Sequence, residues 1–464
     1  MYSRRTFISA ATLAALALGP ACARPVRSKN QRIRIKKTLA ETDVLVAGGG
    51  PAGIGAAIGA ALQGARVLLI EGCGFMGGVG AWGCGMQMNQ MRPAGIPRSD
   101  VHEVFIQKLL ALGEQAGKFA KGTDFDGPNA LLCNVEYLKV AILDALDAVG
   151  CKYLVHTQVI DALTQNNRIT GVVVATKQGP MAIRSDVTID CTGDADICSY
   201  AGAETMIEEG RLSPMTLCYN TANVSLEDIE SGEEEFIRNL DRAKAEFPLI
   251  HREMPDLSPV SNAHFYYTNH PGTRDLGQFN ATDPFQFTEA ECLSRRQVIQ
   301  MVEALRKYAG GDLKKIEIVG SGPRVGVRES RRVKGLYVLT EEDALNGSRF
   351  DDVIAWRSGN LDIGFVRVSR MKIHDVPYRS LVPEYVESLL VAGRCISATH
   401  VAASAGKSMG NCMATGHAAG VAAALAVKQQ VVPREIPVLK VQDALRDHGV
   451  DLEFSGREQD WLHS

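Results

Sequence analysis

The first strong pattern in the chain is an unbroken apolar run, Val44-Leu45-Val46-Ala47, that breaks into Gly48-Gly49-Gly50-Pro51-Ala52-Gly53. A strand apolar on both faces is one buried in a parallel sheet. A helix of small residues follows over 54–62, then a second strand over 65–70 that ends at Glu71. Apolar positions at helical spacing predict helices over 101–118 and 134–148, the second with Asn134 as its N-cap. The period then shortens to two. Short strands are predicted over 153–155, 156–163, 169–176 and 181–184, with turns at Asn166-Asn167 and Gln178-Gly179-Pro180. This antiparallel meander hands the chain back to the parallel sheet over 186–190.

From about Arg211 the alternation of strand and helix is lost. A strand is predicted over 213–224, a solvated helix start in the acidic run 231–235, an irregular stretch over 262–288, a helix over 289–308 and a strand over 316–319. The first pattern returns late: a buried strand over 387–394 ends in Gly393-Arg394, and an Ala- and Gly-rich helix spans 410–427. The fold class that follows is α/β, a Rossmann-like dinucleotide-binding domain of parallel sheet plus antiparallel meander, interrupted by an α+β substrate or cap domain. The expected boundaries are 41–210 for the first part of the binding domain, 211–374 for the cap, 375–430 for the second part and 431–464 for a C-terminal tail.

The strand, glycine loop and helix carry specific chemistry. Gly48 permits the tight turn, Gly50 lets backbone approach a pyrophosphate, and Gly53 lets the helix lie close to the strand. Pro51 and Ala52 open the helix, whose N-terminus favours negative charge. Glu71, about twenty residues on, is placed to bind ribose hydroxyls. The glycine-dense segment around Gly78 and the turn Thr192-Gly193-Asp194-Ala195-Asp196 offer two further close approaches of backbone to the same ligand.

Composition changes this picture little. The chain has 464 residues, 45% hydrophobic and 22% charged, and a formal net charge of -3, so nothing points to nucleic acid or an anionic membrane. The N-terminus does add something. Ser3-Arg4-Arg5-Thr6-Phe7-Ile8, a short apolar run over 10–18 and Ala21-Cys22-Ala23 fit a twin-arginine export signal over 1–23, with a linker over 24–40. The apolar run is too short for a permanent anchor. The expected location is therefore the periplasm, and the export machinery an expected partner that carries the protein folded around its cofactor.

Taken together, Gly48 to Gly53 with Glu71, Thr192 to Asp196, Gly326-Val327-Arg328-Glu329-Ser330-Arg331-Arg332, Val391-Ala392-Gly393-Arg394 and Thr415 to Gly420 resemble the FAD-dependent oxidoreductases of the glutathione-reductase-like flavoproteins. The resemblance implies FAD as cofactor, with Gly48, Gly50, Gly53 and Glu71 at its ADP part. It places Gly78 at the phosphate or ribityl region, and Gly393 with Ser408, Met409 and Gly410 at the flavin end. A more distant similarity, to the flavoprotein subunit of heterodisulfide reductase, raises an iron-sulfur cluster. The 11 cysteines are scattered without CxxC spacing, however, and no metal ligands are assigned. Cys73 and Cys84 form the nearest approach to a redox pair.

With hydride chemistry supplied by FAD, the residues left to find are those that move a proton and hold a substrate. An imidazole suits the first task. His264 and His270 lie in the irregular cap stretch, His374 precedes the last part of the fold, and His400 lies between two segments assigned to the flavin. Arg324 and Arg328 suit a substrate carboxylate or enolate, and Tyr378 suits donation to a substrate oxygen. The expected function is hydride transfer between flavin and a small polar hydroxy, keto or unsaturated substrate, with an unknown electron acceptor. The alternative is a non-catalytic flavin-carrying electron-transfer subunit.

Overall fold

The computed structural model of the chain describes residues 35–120, 130–208, 210–250, 257–259, 266–268, 272–358, 361–362, 367–368 and 372–453. Its centre is β1 (Thr38–Ala47), whose Val44, Leu45 and Val46 are fully buried, as a doubly covered strand requires. β2 (Val67–Ile70) pairs parallel with it, Val44 against Val67 through Ala47 against Ile70, and β3 (Lys152–Leu154) extends that flank. On the other side lie β4 (Gln158–Gln165), β5 (Arg168–Thr176) and β6 (Gly179–Asp190), giving the order β3-β2-β1-β6-β5-β4.

β6 is one strand where the sequence suggested two. Its first half pairs antiparallel with β5 as far as Arg184, and its last residues pair parallel with β13 (Leu389–Val391). Arg184, the last residue paired with β5, and Asp186, in the interval before β13 arrives, are exposed, while β1 runs alongside both.

The glycine loop leads into α1 (Pro51–Leu62), and the late loop leads into α7 (Met409–Gln429). These helices cross in direct backbone contact. A Cβ on Gly416 would lie 1.9 Å from the Ala52 carbonyl oxygen, and one on Gly420 would lie 2.1 Å from that of Ala56. The small residues therefore set how closely the starts of both helices converge.

Several elements differ from expectation. α2 (Asp100–Leu110) stops well before residue 118; the chain turns through Gly113 at φ +101° and forms a strand, Gly117–Phe119, paired with Leu131–Cys133. α3 (Val135–Ala148) begins as read, with Asn134 accepting from the Glu136 amide. The strand expected over 213–224 is only β7 (Tyr219–Ala222). The acidic run lies inside α4 (Leu226–Arg238), whose start is fixed earlier by the reciprocal Ser225/Asp228 capping box. The stretch read as irregular contains β9 (Tyr266–Thr268), between β8 (Leu257–Pro259) and β7, and β10 (Glu317–Ser321) closes that sheet in the order β8-β9-β7-β10. α5 (Pro284–Tyr308) starts before residue 289 because Asp283 caps it, accepting from the Phe285 and Gln286 amides.

A second apolar core, from Met215 to Val325 and including Tyr219, Phe236 and Met301, holds the inserted region together. Val333, Leu339, Ile354 and Val376 belong to the first core, so the insertion has its own interior over a shorter span than 211–374. There β11 (Val353–Arg357) and β12 (His374–Pro377) form an antiparallel pair. The segment expected as a tail includes α8 (Val438–Asp447), which buries Val441 and Leu445 in the same core.

Candidate active site

In the first glycine loop, Gly48 has φ +104°, and a Cβ there would lie 2.3 Å from the Cys191 carbonyl oxygen; only glycine makes this turn. Glu71 accepts from the Gly49 amide (2.7 Å) with one oxygen and from the Cys73 amide (2.8 Å) with the other. It thus ties the first glycine loop to the second, and each carboxylate oxygen keeps a lone pair for another donor. α1 starts at Gly50 and Pro51 with no side-chain cap and no acidic residue in its first turn. The space a Gly50 Cβ would enter meets nothing nearer than the Gly78 Cα at 3.8 Å.

The middle and late segments meet beyond the ends of β1, β6 and β13. Asp190, fully buried, accepts from the Thr192 amide (3.0 Å), the Thr192 hydroxyl (2.7 Å) and the Cys198 amide (3.0 Å), which fixes the turn carrying Gly193 at φ +83°. Asp194 accepts from Arg394 Nη2 (2.7 Å) and from the Ser330 hydroxyl, and Arg331 spans the Asp194 carbonyl and Asp196. Burial acts to raise the Asp194 pKa, but Arg394 and Ser330 outweigh it and hold the carboxyl below its ordinary value. Asp196 goes the other way, up to about 6, because burial and the neighbouring Asp194 and Asp190 outweigh Arg331. Gly393, at φ +84°, donates its amide to Thr415 Oγ1 of α7 (3.1 Å). Ser408 is the N-cap of α7 and makes no side-chain cap; Met409 is buried, and Gly410 donates its amide to the Asn89 carbonyl (3.0 Å).

His400, nearly buried, opens the short helix α6 (His400–Ala405), and its Nδ1 lies 2.7 Å from the Glu329 carboxylate. Glu329 also accepts from Arg332 and from the amide and hydroxyl of Ser213 (both 3.2 Å). Burial acts to raise its pKa, while His400 and Arg332 prevail and lower it. Arg332 is fixed in turn by the Ala398 carbonyl (2.8 Å). With Nδ1 committed, His400 Nε2 has no hydrogen-bond partner among the described residues.

Arg324 lies over the Trp82 ring, 5.4 Å from its centroid, and its buried Nε has no partner among the described residues. Its charge also acts on Asp194 and Cys73, which places it beside the dinucleotide segments. Arg328 acts on the Cys218 thiol instead. Tyr378 does not join this group: its buried hydroxyl donates to the Pro433 carbonyl (2.9 Å). His264 and His270 lie outside the described residues. Cys84 Sγ faces the Cys218 carbonyl (3.4 Å). Among the described residues no three His, Cys, Asp or Glu side chains are grouped as a metal site.

Glu329, Ser330, Arg332, Asp190 and Arg394 were not among the candidates. Glu329 and Ser330 stand in the arginine-rich motif, but their partners are 71 and 136 residues away. A short-range motif carries no signal for such pairs.

Residues 43–445 match the family described as FAD dependent oxidoreductase. The chain belongs to this family. FAD is its cofactor, and the uncapped α1 start, the open face of Gly50 and the Glu71 carboxylate beside the glycine loop fit a large anionic dinucleotide. This FAD-dependent oxidoreductase is also 33% identical over 196 residues to a thiamine thiazole synthase of Aeropyrum pernix, covering 39% of this chain and 65% of that one. It is 32% identical over 170 residues to that of Methanococcus vannielii, covering 35% and 60%. The match therefore spans less than two thirds of these relatives. Among solved structures, a geranylgeranyl bacteriochlorophyll reductase-like protein of Thermoplasma acidophilum aligns over 90% of this chain and 85% of its own, at 14% identity and TM-score 0.47. The anhydrotetracycline hydroxylase OxyS of Streptomyces rimosus aligns over 88% and 66%, at 12% identity and TM-score 0.45.

Proposed function

We propose that this enzyme transfers hydride between FAD and a small polar hydroxy, keto or unsaturated substrate, with His400 as the group that moves the proton. The observation that supports this most is the His400–Glu329 pair. A carboxylate on Nδ1 fixes the ring and its tautomer and leaves Nε2 to exchange a proton with substrate. Bound FAD supplies the hydride chemistry. Glu329, held ionised by Arg332, orients the imidazole and stabilises it when protonated. Arg324, with one buried donor unpartnered beside Trp82, is the proposed electrostatic contact to a substrate carboxylate or enolate oxygen. The arginine pair at 4 and 5 supports export, and the matching test is whether the yellow protein fractionates with the periplasm.

Rapid reduction of the FAD-loaded enzyme by the reactive member of a panel of hydroxy acids, alcohols and reductants tests the site. His400→Asn is expected to retain stoichiometric flavin and slow reduction by about 10²–10⁴-fold, the range for a lost general acid or base. Arg324→Met and Arg328→Met test substrate contact and are expected to raise the substrate concentration needed. Wild-type reduction rates in His400→Asn would overturn the assignment.

A further inference from the structure

Arg357 closes β11 and His374 opens β12, and the two are register partners across the antiparallel pair. Side chains of directly opposed residues leave the same face of a sheet. Arg357 is 1% exposed, yet its Nε and Nη1 are buried with no hydrogen-bond partner among the described residues. His374 is likewise 1% exposed; Nδ1 lies 3.2 Å from the Lys372 carbonyl, and Nε2 is buried without a partner. Arg98 lies within electrostatic reach, and it donates only to uncharged acceptors: the Gln90 carbonyl (3.2 Å), Asn411 Oδ1 (2.6 Å) and the Trp356 carbonyl (2.5 Å). Two guanidinium groups are thus buried together with no carboxylate paired to either among the described residues.

A buried cation without a counter-charge is strongly disfavoured, so its retention points to an anion that completes the site. The imidazole narrows the choice. A carbonyl has no proton to give, so His374 Nδ1 donates to Lys372, and Nε2 of the neutral ring is an acceptor. The complementary ligand offers negative oxygen to Arg357 and a hydroxyl proton to His374. We propose that Arg357 and His374 bind a small oxyanion that also carries a hydroxyl group. Two sources share this chemistry: a 2-hydroxy carboxylate and a free protonated inorganic oxyanion such as hydrogen phosphate. The guanidinium rests on Gly406, where a Cβ would lie 2.0 Å from Arg357 Cζ, just before Ser408 and the start of α7. The site therefore adjoins the flavin-end loop, and it needs nothing from the His400–Glu329 pair.

The test uses FAD-loaded protein in a low-anion buffer at fixed ionic strength, titrated near neutral pH with lactate, hydrogen phosphate, acetate or sulfate while melting temperature is followed. Lactate or phosphate is expected to give a saturable rise of roughly 1–2 °C at ten times its dissociation constant. Acetate and sulfate, which lack the hydroxyl, are expected to give at least tenfold weaker responses. A response to lactate alone identifies an organic hydroxy acid, and one to phosphate identifies an inorganic anion; both support the site. No saturable response, or equal responses to all four, overturns it. Arg357→Met is expected to abolish the response without lowering the anion-free melting temperature, because an uncompensated buried charge is removed. A wild-type response in that variant also overturns the site. Should Arg357→Met fail to fold, His374→Phe is expected to weaken lactate or phosphate at least tenfold while leaving acetate and sulfate unchanged, and an unaltered preference would count against the proposal.

Discussion

Gly48 shows how much of the site rests on single residues. Its φ of +104° and the 2.3 Å approach of a would-be Cβ to the Cys191 carbonyl both exclude a side chain. An alanine there incurs backbone strain of about 1–3 kcal/mol and displaces the turn from β6. Gly48→Ala is therefore expected to fold, with normal far-ultraviolet circular dichroism, but to be isolated with much less than one flavin per chain. Full flavin occupancy in this variant would show that the turn tolerates the shift. Residues of this kind were legible because their chemistry is local: Gly48, Gly50 and Glu71 declare themselves within one strand-loop-helix-strand unit. Glu329 was not, since its partner, His400, lies 71 residues away on a different element.

Between elements, the decisive contact is the crossing of α1 and α7, which holds the two helices in direct backbone contact near their starts. Gly416→Ala would put a methyl carbon 1.9 Å from the Ala52 carbonyl, and that backbone can relieve the clash only by moving α7 away from α1. The expected result is a melting temperature lowered by several degrees together with weaker FAD binding, measured by flavin fluorescence on dilution. Gly320→Ala is the control, as nothing lies within 4 Å of a Cβ there, and it is expected to behave as wild type. Equal effects from both substitutions would remove the helix crossing as the cause. The Ala and Gly content of α7 was legible in the sequence, although the helix it packs against was not. The same limit explains β6. Its polar middle looks like an interruption until β5 is seen to leave and β13 to arrive on either side of it. Helix ends were misread where a cap outweighed periodicity: Asp283 starts α5 early, and Gly113 follows an early end to α2.

For the molecule as a whole, the buried imidazoles set the response to acid. His102 is pushed down to about 3 by burial and by Arg98, His374 to about 4 by burial and by Arg357, and His417 well below its usual value by burial and by His448. A depressed histidine contributes stability that is present above its unfolded pKa near 6.5 and is lost as pH falls towards the folded value. Asp196 and Asp375 act in the opposite sense. Burial raises each to about 6, so each binds its proton in the folded state first and adds stability as pH falls from 6 towards 3.8. Between pH 6 and 4.5 the depressed imidazoles, His448 among them, outweigh the two raised carboxyls, so the net effect of falling pH is a loss of stability. These groups belong to both halves of the interrupted FAD domain, so the expected outcome is loss of that domain's fold rather than of the inserted core. Urea unfolding with excess FAD, followed by flavin fluorescence, is expected to show a lower midpoint at pH 5 than at pH 7. His417→Asn relieves one of these imidazoles and is expected to narrow that gap even if it lowers both midpoints. An unchanged midpoint across this range in the wild-type protein would mean that the buried imidazoles are protonated in the fold, and the packing around α7 would then need an anionic partner for each.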